Sequence, residues 1–150
     1  MENELSFSTR RRVFLIQMIY ALMANYENLL IQDDRSVLAV VNSAAMASRY
    51  KAKLDIKEAN LDMQILLEAV HKLSVIDALI LRYCNSGSLE RLSKVVLSIL
   101  RVGVYELRYA PHKYSAVNIM RDYLNIAVAF EHDPESGFIN SILDKIHSTI

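Results

Sequence analysis

Residues 93–109 have the sequence SKVVLSILRVGVYELRY, and they predict a long helix. Ser93 is a favourable N-cap residue, because its hydroxyl can accept a hydrogen bond from an amide of the first turn. Pro111 cannot continue a helix, since it lacks an amide hydrogen and its ring clashes with the preceding turn. We therefore expect this helix to begin just after Ser93 and to end near Tyr109.

The rest of the chain also carries helical patterns. Residues 8–24 are apolar nearly all round, which predicts a central helix, and a second helix follows Asp33 and Asp34 to about residue 50. After residue 55 an amphipathic helix is expected, and then a short one over residues 75–84 with Ser74 as its cap. Ser115 opens a further helix, and the Asp-Pro-Glu at residues 133–135 is a typical start for the last one.

The segment Asn85–Ser88 is the best loop signal in the chain. We place there a boundary within a single domain, residues 1–150, between a helical half at about 8–84 and another at about 89–150. Composition agrees with this arrangement: 53% hydrophobic residues can form a core, whereas 3 Gly and 2 Pro are few for a β-sandwich or barrel. The prediction is an all-α protein.

Overall charge and cysteine content exclude several classes of protein. The 17 Lys and Arg residues are balanced by 17 Asp and Glu residues, so any affinity for nucleic acid must come from a local basic patch. Cys84 is the one cysteine, which excludes an internal disulfide and a zinc site built from several cysteines. It fits a reducing compartment, and as a thiol on an apolar helix we expect it in the core.

Residues 11–15, Arg-Arg-Val-Phe-Leu, resemble a twin-arginine export signal, because an uncharged run follows as far as Tyr26. Gln17 and Asn25 interrupt that run, no small-residue cleavage site follows it, and it is shorter than the roughly 20 residues that span a bilayer. We therefore expect a cytoplasmic protein without a membrane span.

Residues for catalysis are not apparent in the sequence. The four histidines never fall at the spacing of metal ligands, and three scattered glycines cannot form a phosphate-binding loop. Acidic pairs such as Glu58 and Asp62 have the spacing of a solvated helix face. We predict a protein that is not an enzyme and needs no metal or cofactor.

Local basic charge is the feature that stands out. Residues 5–26 contain no acid, and Arg10, Arg11 and Arg12 lie in that gap. At a helix N-terminus they oppose the helix dipole at about 0.3 to 1 kcal/mol each, and bound phosphates would reverse that cost. Ordinary solubilising charge ahead of an apolar helix is the alternative.

A second acid-free window covers residues 107–121. It contains Arg108, Lys113 and Arg121 with Tyr109 and Tyr114 between them. Basic residues interleaved with aromatic rings suit single-stranded RNA, whose bases stack on rings while its phosphates contact cations. A solvated corner between two helices with half-buried tyrosines is an equally good interpretation of these residues.

Four segments resemble the NusB family of bacterial transcription antitermination factors. Ile99–Leu107 (ILRVGVYEL) resembles one family motif, and Phe138–Lys145 (FINSILDK) resembles the family's C-terminal Phe-Val-Asn-Gly-Val-Leu-Asp-Lys. Asp122–Phe130 and Arg12–Tyr20 are similar to two further family segments. The similarity is strong over residues 89–146 and recognisable over 9–24.

This resemblance implies a fold and a function. The fold would be all-α, with about seven helices in two packed subdomains. The function would be binding of boxA RNA together with a small-subunit ribosomal protein, NusE. Within an RNA polymerase antitermination complex, that assembly would support read-through on ribosomal RNA operons. Related domains also occur fused to RNA methyltransferases, and we expect no such catalytic domain in a chain of 150 residues.

Candidate site residues follow from the resemblance and from the basic windows. For RNA they are Arg10, Arg11, Arg12, Lys113, Arg121, Asp133 and Phe138. For the protein partner they are Arg101, Tyr105 and Glu106. Phe138 also lies on an apolar stripe with Ile142 and Ile146, so burial in the core is an equal alternative for its side chain.

The sequence departs from the family at several positions. Arg121 replaces an uncharged Asn, Val96 and Leu97 replace an acidic-basic pair, and Ser141 replaces a Gly. Val96 and Leu97 could extend a partner or dimer surface. The alternative function is therefore a protein-binding helical adaptor or homodimer of the same fold with weak or no RNA affinity.

Overall fold

The computed structural model describes residues 7–26, 32–47, 56–85, 87–109, 115–131 and 136–149. Within these ranges the chain forms seven α-helices and no strand, which confirms the all-α prediction. The helices are α1 (Phe7–Asn25), α2 (Asp34–Ala47), α3 (Ile56–His71), α4 (Leu73–Tyr83), α5 (Lys94–Tyr109), α6 (Ala116–Glu131) and α7 (Ser136–His147), with a 3-10 helix at Leu89–Arg91. No helix in the described part of the chain is long and apolar enough to span a membrane.

The chain divides into two compact units, Met1–His71 and Lys72–Ile150. This division lies one helix earlier than the boundary predicted at Asn85–Ser88. The described residues of that segment, 85 and 87–88, are not helical, but α4 belongs with the second unit because it packs on α5 and α7 and buries Leu73, Ile76 and Ile80. The strongest loop signal of the sequence therefore does not mark the boundary between the two units.

In the first unit, α1 packs on both α2 and α3. Its side chains are buried along most of its length, as the apolar sequence predicted; the buried apolar residues of α1 are Val13, Phe14, Leu15, Ile16, Met18, Ile19 and Leu22. Val37 and Val41 of α2 and Leu66 of α3 are fully buried as well. The hydroxyl of Tyr26, just after α1, donates a hydrogen bond of 3.0 Å to the Ser36 carbonyl of α2.

Asp33 caps the N-terminus of α2. Its carboxylate accepts a hydrogen bond of 2.8 Å from the Ser36 amide, and its carbonyl accepts one from the Val37 amide. Hydrogen bonds from the amide and then from the hydroxyl of Ser36 hold the pKa of the Asp33 carboxyl below its ordinary value of 3.8. A carboxylate is favoured at this end of a helix, where unpaired amides carry partial positive charge.

The cap predicts a pH dependence of stability. Because the folded-state pKa of Asp33 is lowered, its stabilising contribution is present above about pH 4, where the unfolded carboxyl is ionised, and is lost as the pH falls through the folded-state pKa. NMR titration of the carboxyl carbon should give a midpoint below 3.8. In Ser36→Ala the midpoint should rise only part of the way, because the backbone amide still donates. A wild-type midpoint at or above the ordinary value would contradict the assigned cap.

In the second unit, α5 is the central helix and packs on α4, α6 and α7. A Cβ atom on Gly103 would lie 3.1 Å from Cδ2 of Leu143 and 3.7 Å from the Tyr123 ring. The missing side chain therefore lets α5 approach α7 and α6 closely. Tyr123 is fully buried, and its hydroxyl donates a hydrogen bond of 2.6 Å to Glu106.

Side-chain caps were predicted correctly at two helices of this unit. The Ser93 and Ser115 hydroxyls accept hydrogen bonds from the amides of Val96 and Asn118, at 3.1 and 3.2 Å. The prediction for Ser74 is wrong, because α4 begins at Leu73 after an N-cap without a side-chain hydrogen bond. There is little room for a separate cap, since α3 ends only two residues earlier. Cys84 is buried, as expected, whereas the predicted start at residues 133–135 lies outside the described residues.

Candidate nucleic-acid interface

The three consecutive arginines lie in the first turns of α1, close to its positively polarised N-terminal end. The first turn of the helix contains no acidic residue. Arg10 and Arg11 are half-buried, and Arg12 is buried with 8% exposure. Since successive residues on a helix point about 100° apart, the three guanidinium groups leave the helix in different directions. Arg10 and Arg11 are therefore the accessible part of this cluster, whereas Arg12 belongs with the buried residues of α1.

Three further residues predicted to contact RNA lie in the second unit or outside the described part of the chain. Arg121 is exposed on α6, while the helix buries Ile119, Tyr123 and Ile126 on another side. Lys113 and Asp133 lie outside the described residues. Of these three residues, Arg121 alone belongs to the described part of the chain, and it is an exposed cation on the surface of α6.

Phe138 occupies the first turn of α7 and is half-buried. The neighbouring stripe of Ile139, Ile142, Leu143 and Ile146 is buried, as predicted from its helical spacing. Phe138 is therefore neither a fully buried core residue nor a freely exposed ring. Its ring retains some accessible surface on which a nucleobase could stack.

Substitutions of Phe138 separate its packing in the second unit from its predicted contact with RNA. Phe138→Ala is expected to cost less than the roughly 3 to 5 kcal/mol of a fully buried phenylalanine, because part of the ring is already in water. It should also weaken RNA binding. Phe138→Leu retains much of the apolar packing but not the aromatic face, so it should keep most of the stability and still bind RNA more weakly. Urea unfolding and RNA titration of both variants check this, and wild-type affinity in Phe138→Leu would rule out stacking.

The residues predicted to contact a protein partner make contacts within the second unit. Arg101 forms a bidentate ion pair with Asp77 of α4, with N–O distances of 2.9 and 2.8 Å. Tyr105 is buried with 4% exposure, and half-buried Glu106 accepts the hydrogen bond from Tyr123. Their role toward a partner stays a prediction. Within the second unit, Arg101 connects α5 to α4 and Glu106 connects α5 to α6.

The departure from the family pattern at Val96 and Leu97 has a structural explanation, whereas nothing in the structure explains the one at Ser141. Val96 and Leu97 are buried with 1% and 7% exposure, so they extend the core of the second unit and not an exposed partner or dimer surface. Ser141, on α7, is half-buried. The apolar pair therefore gives no support to the alternative of an apolar adaptor surface.

Sequence reasoning did not find Asp77, the partner of Arg101. It lies 24 positions earlier in the chain and on another helix, where no local spacing connects the two residues. A single acid within the apolar sequence of α4 is the only local signal. Among the described residues, no group of three or more His, Cys, Asp or Glu side chains is placed to hold a metal ion.

Comparisons with known proteins agree with this fold. A sequence model described as the NusB family matches residues 9–148. A transcription antitermination protein NusB from Geobacter sp. strain M21 is 30% identical over 146 residues, which cover 95% of this chain and 97% of that protein. The corresponding protein of Caulobacter vibrioides is 40% identical over a shorter stretch of 65 residues, or 43% of each chain.

Solved structures share the architecture at low sequence identity. A crystal structure of the antitermination factors NusB and NusE in complex with double-stranded RNA has a chain with a TM-score of 0.78 and 18% identity, covering 98% of this chain and 100% of that one. A structure of T. maritima NusB gives a TM-score of 0.77 at 22% identity, over 99% of this chain and 93% of that one. With the family match along nearly the whole sequence, these likenesses in fold lead to one conclusion: the chain belongs to the NusB family.

Proposed function

We propose that this protein is a transcription antitermination factor that binds boxA-type RNA together with the ribosomal protein NusE. Bound within an RNA polymerase antitermination complex, it supports read-through of ribosomal RNA operons. The observation that carries the proposal is the family match over residues 9–148, with relatives of about 30% identity that are transcription antitermination proteins. The protein acts in the cytoplasm by binding and not by catalysis.

Two features of the structure support an RNA-binding role. The half-buried Arg10 and Arg11 lie at the start of α1, where a cation opposes the helix dipole and an anion is favoured. Arg121 adds an exposed cation on α6, and half-buried Phe138 offers part of an aromatic ring. RNA phosphates would bind the cations, and an unstacked base would stack on the ring, as in recognition of single-stranded RNA.

The proposal is tested by binding of a short single-stranded RNA of boxA type at two salt concentrations, with and without NusE. We expect binding that weakens steeply with salt, because each phosphate contact releases counterions, and that strengthens when NusE is present. Binding of NusE without any RNA affinity, at low salt as well as high, would instead establish the protein-binding adaptor.

A further inference from the structure

Two cations that are far apart in the sequence contact one tyrosine ring in the second unit. Tyr109 ends α5, and its ring centre lies 5.2 Å from Nζ of Lys72 and 5.8 Å from Cζ of Arg108. The buried Tyr105 ring supports Tyr109 from one turn earlier, with a centroid distance of 6.0 Å. Lys72 precedes α4, so the cluster is created by tertiary packing and not by sequence proximity.

The charges of this cluster are not balanced by acids in the described part of the chain. Neither Lys72 nor Arg108 forms an ion pair with a carboxylate among the described residues. Arg108 is exposed, whereas Lys72 and Tyr109 are half-buried. Since both cations contact the same ring, their charges are separated by no more than the sum of the two distances. An anion would relieve the repulsion between them.

We propose that Lys72 and Arg108, held in place by the Tyr109 ring, bind the phosphates of single-stranded RNA. The ring face attracts cations electrostatically, and this attraction restricts the two flexible side chains before RNA arrives. Tyr109 is thus a positioning residue, and the two cations make the contacts. This second phosphate site rests on the proposed function, because it binds the same RNA.

Nucleic acid fits this surface better than an acidic protein segment does. Arg108 and Tyr109 lie at the start of the acid-free window of the sequence that continues to Arg121, so no acid of that window would repel the phosphates of an RNA strand. Two cations held at one ring can each contact a phosphate of an RNA backbone, where phosphates are regularly spaced. An acidic protein partner is the outcome that the experiment must distinguish.

The decisive variant is Lys72→Ala/Arg108→Ala in the full chain. Its affinity for several unrelated single-stranded RNAs is expected to fall about tenfold, to a similar extent for each sequence. The slope of log affinity against log salt should decrease by about 1.4, since a single strand loses about 0.7 per phosphate contact. The matched control, Arg91→Ala/Lys94→Ala, removes two exposed charges near the other end of α5 and should leave the slope unchanged.

Substitutions at Tyr109 test the positioning role. Tyr109→Phe keeps the ring and should bind RNA like the wild type, whereas Tyr109→Leu should weaken binding severalfold while its urea unfolding remains cooperative. Equal affinities of these two variants would overturn the role of the ring.

Three results would contradict the phosphate site, and each has a different meaning. If the wild type binds no RNA under any condition, the proposed function fails, and this site fails with it. If the wild type binds RNA and the Lys72→Ala/Arg108→Ala variant retains the full salt slope, only the site is wrong. If that variant binds NusE more weakly and RNA normally, the cluster is a protein contact.

Discussion

Replacing Arg10 and Arg11 together by alanine is expected to weaken the binding of different single-stranded RNAs by about 10- to 100-fold. The loss should be similar for each RNA, because contacts to phosphates carry no sequence information. The salt slope should decrease by about 1.4, which corresponds to two phosphate contacts of a single strand. Fluorescence titration with two unrelated RNAs at a series of salt concentrations measures both quantities.

The control for this pair removes the same charge elsewhere. Arg35→Ala/Arg91→Ala replaces two exposed arginines, on α2 and on the 3-10 helix, and it should change the slope little. If both double variants lower RNA affinity equally, the effect comes from net charge and not from a site at the start of α1.

Arg12 is expected to behave differently from its two neighbours. It is buried with 8% exposure, so Arg12→Ala should lower stability through lost packing and lost polar contacts. Adding this change to the Arg10 and Arg11 variant should therefore reduce the salt slope little further. A further decrease of about 0.7 would instead make Arg12 a third phosphate contact.

Removing Asp77 is expected to have the largest effect on stability. In Asp77→Ala, the Arg101 side chain, which is 11% exposed, would lose both hydrogen bonds to its carboxylate partner and keep its charge in a largely dehydrated place. The expected loss is about 3 kcal/mol of unfolding free energy, because breaking a buried ion pair leaves one charge uncompensated. Urea unfolding measures this loss, and a change below about 1 kcal/mol would show that water replaces the carboxylate.

Replacing both partners separates the cost of the unpaired charge from the value of the pair. Asp77→Leu/Arg101→Met should be considerably more stable than Asp77→Ala, since an apolar pair of similar volume avoids the buried charge. The same variants address the prediction that Arg101 contacts NusE. If Arg101 itself binds NusE, the apolar double variant should fold and fail to bind; if Arg101 acts only by holding α4 on α5, that variant should bind normally.

The local elements of this protein follow from its sequence because their causes are local. Ser93 and Ser115 cap their helices, since a serine hydroxyl needs only the amides of the next turn as donors. The spacing of Ile139, Ile142 and Ile146 is sufficient to predict the buried side of α7. The family motifs within residues 89–146 are likewise short and continuous in the chain, which is why the amino-acid sequence alone indicates the NusB family.

Tertiary structure alone decided the features that depend on residues far apart in sequence. Packing of α4 on α5 moved the boundary between the units from the loop at Asn85–Ser88 to His71–Lys72. The same packing engaged Arg101 with Asp77, and the Tyr109 cluster gained Lys72 from the chain before α4. A helical pattern indicates which side of a helix is apolar, but burial and pairing are determined by the helix that covers that side. The sequence therefore determined the helices and the family, whereas the tertiary structure decided which charges remain accessible to RNA.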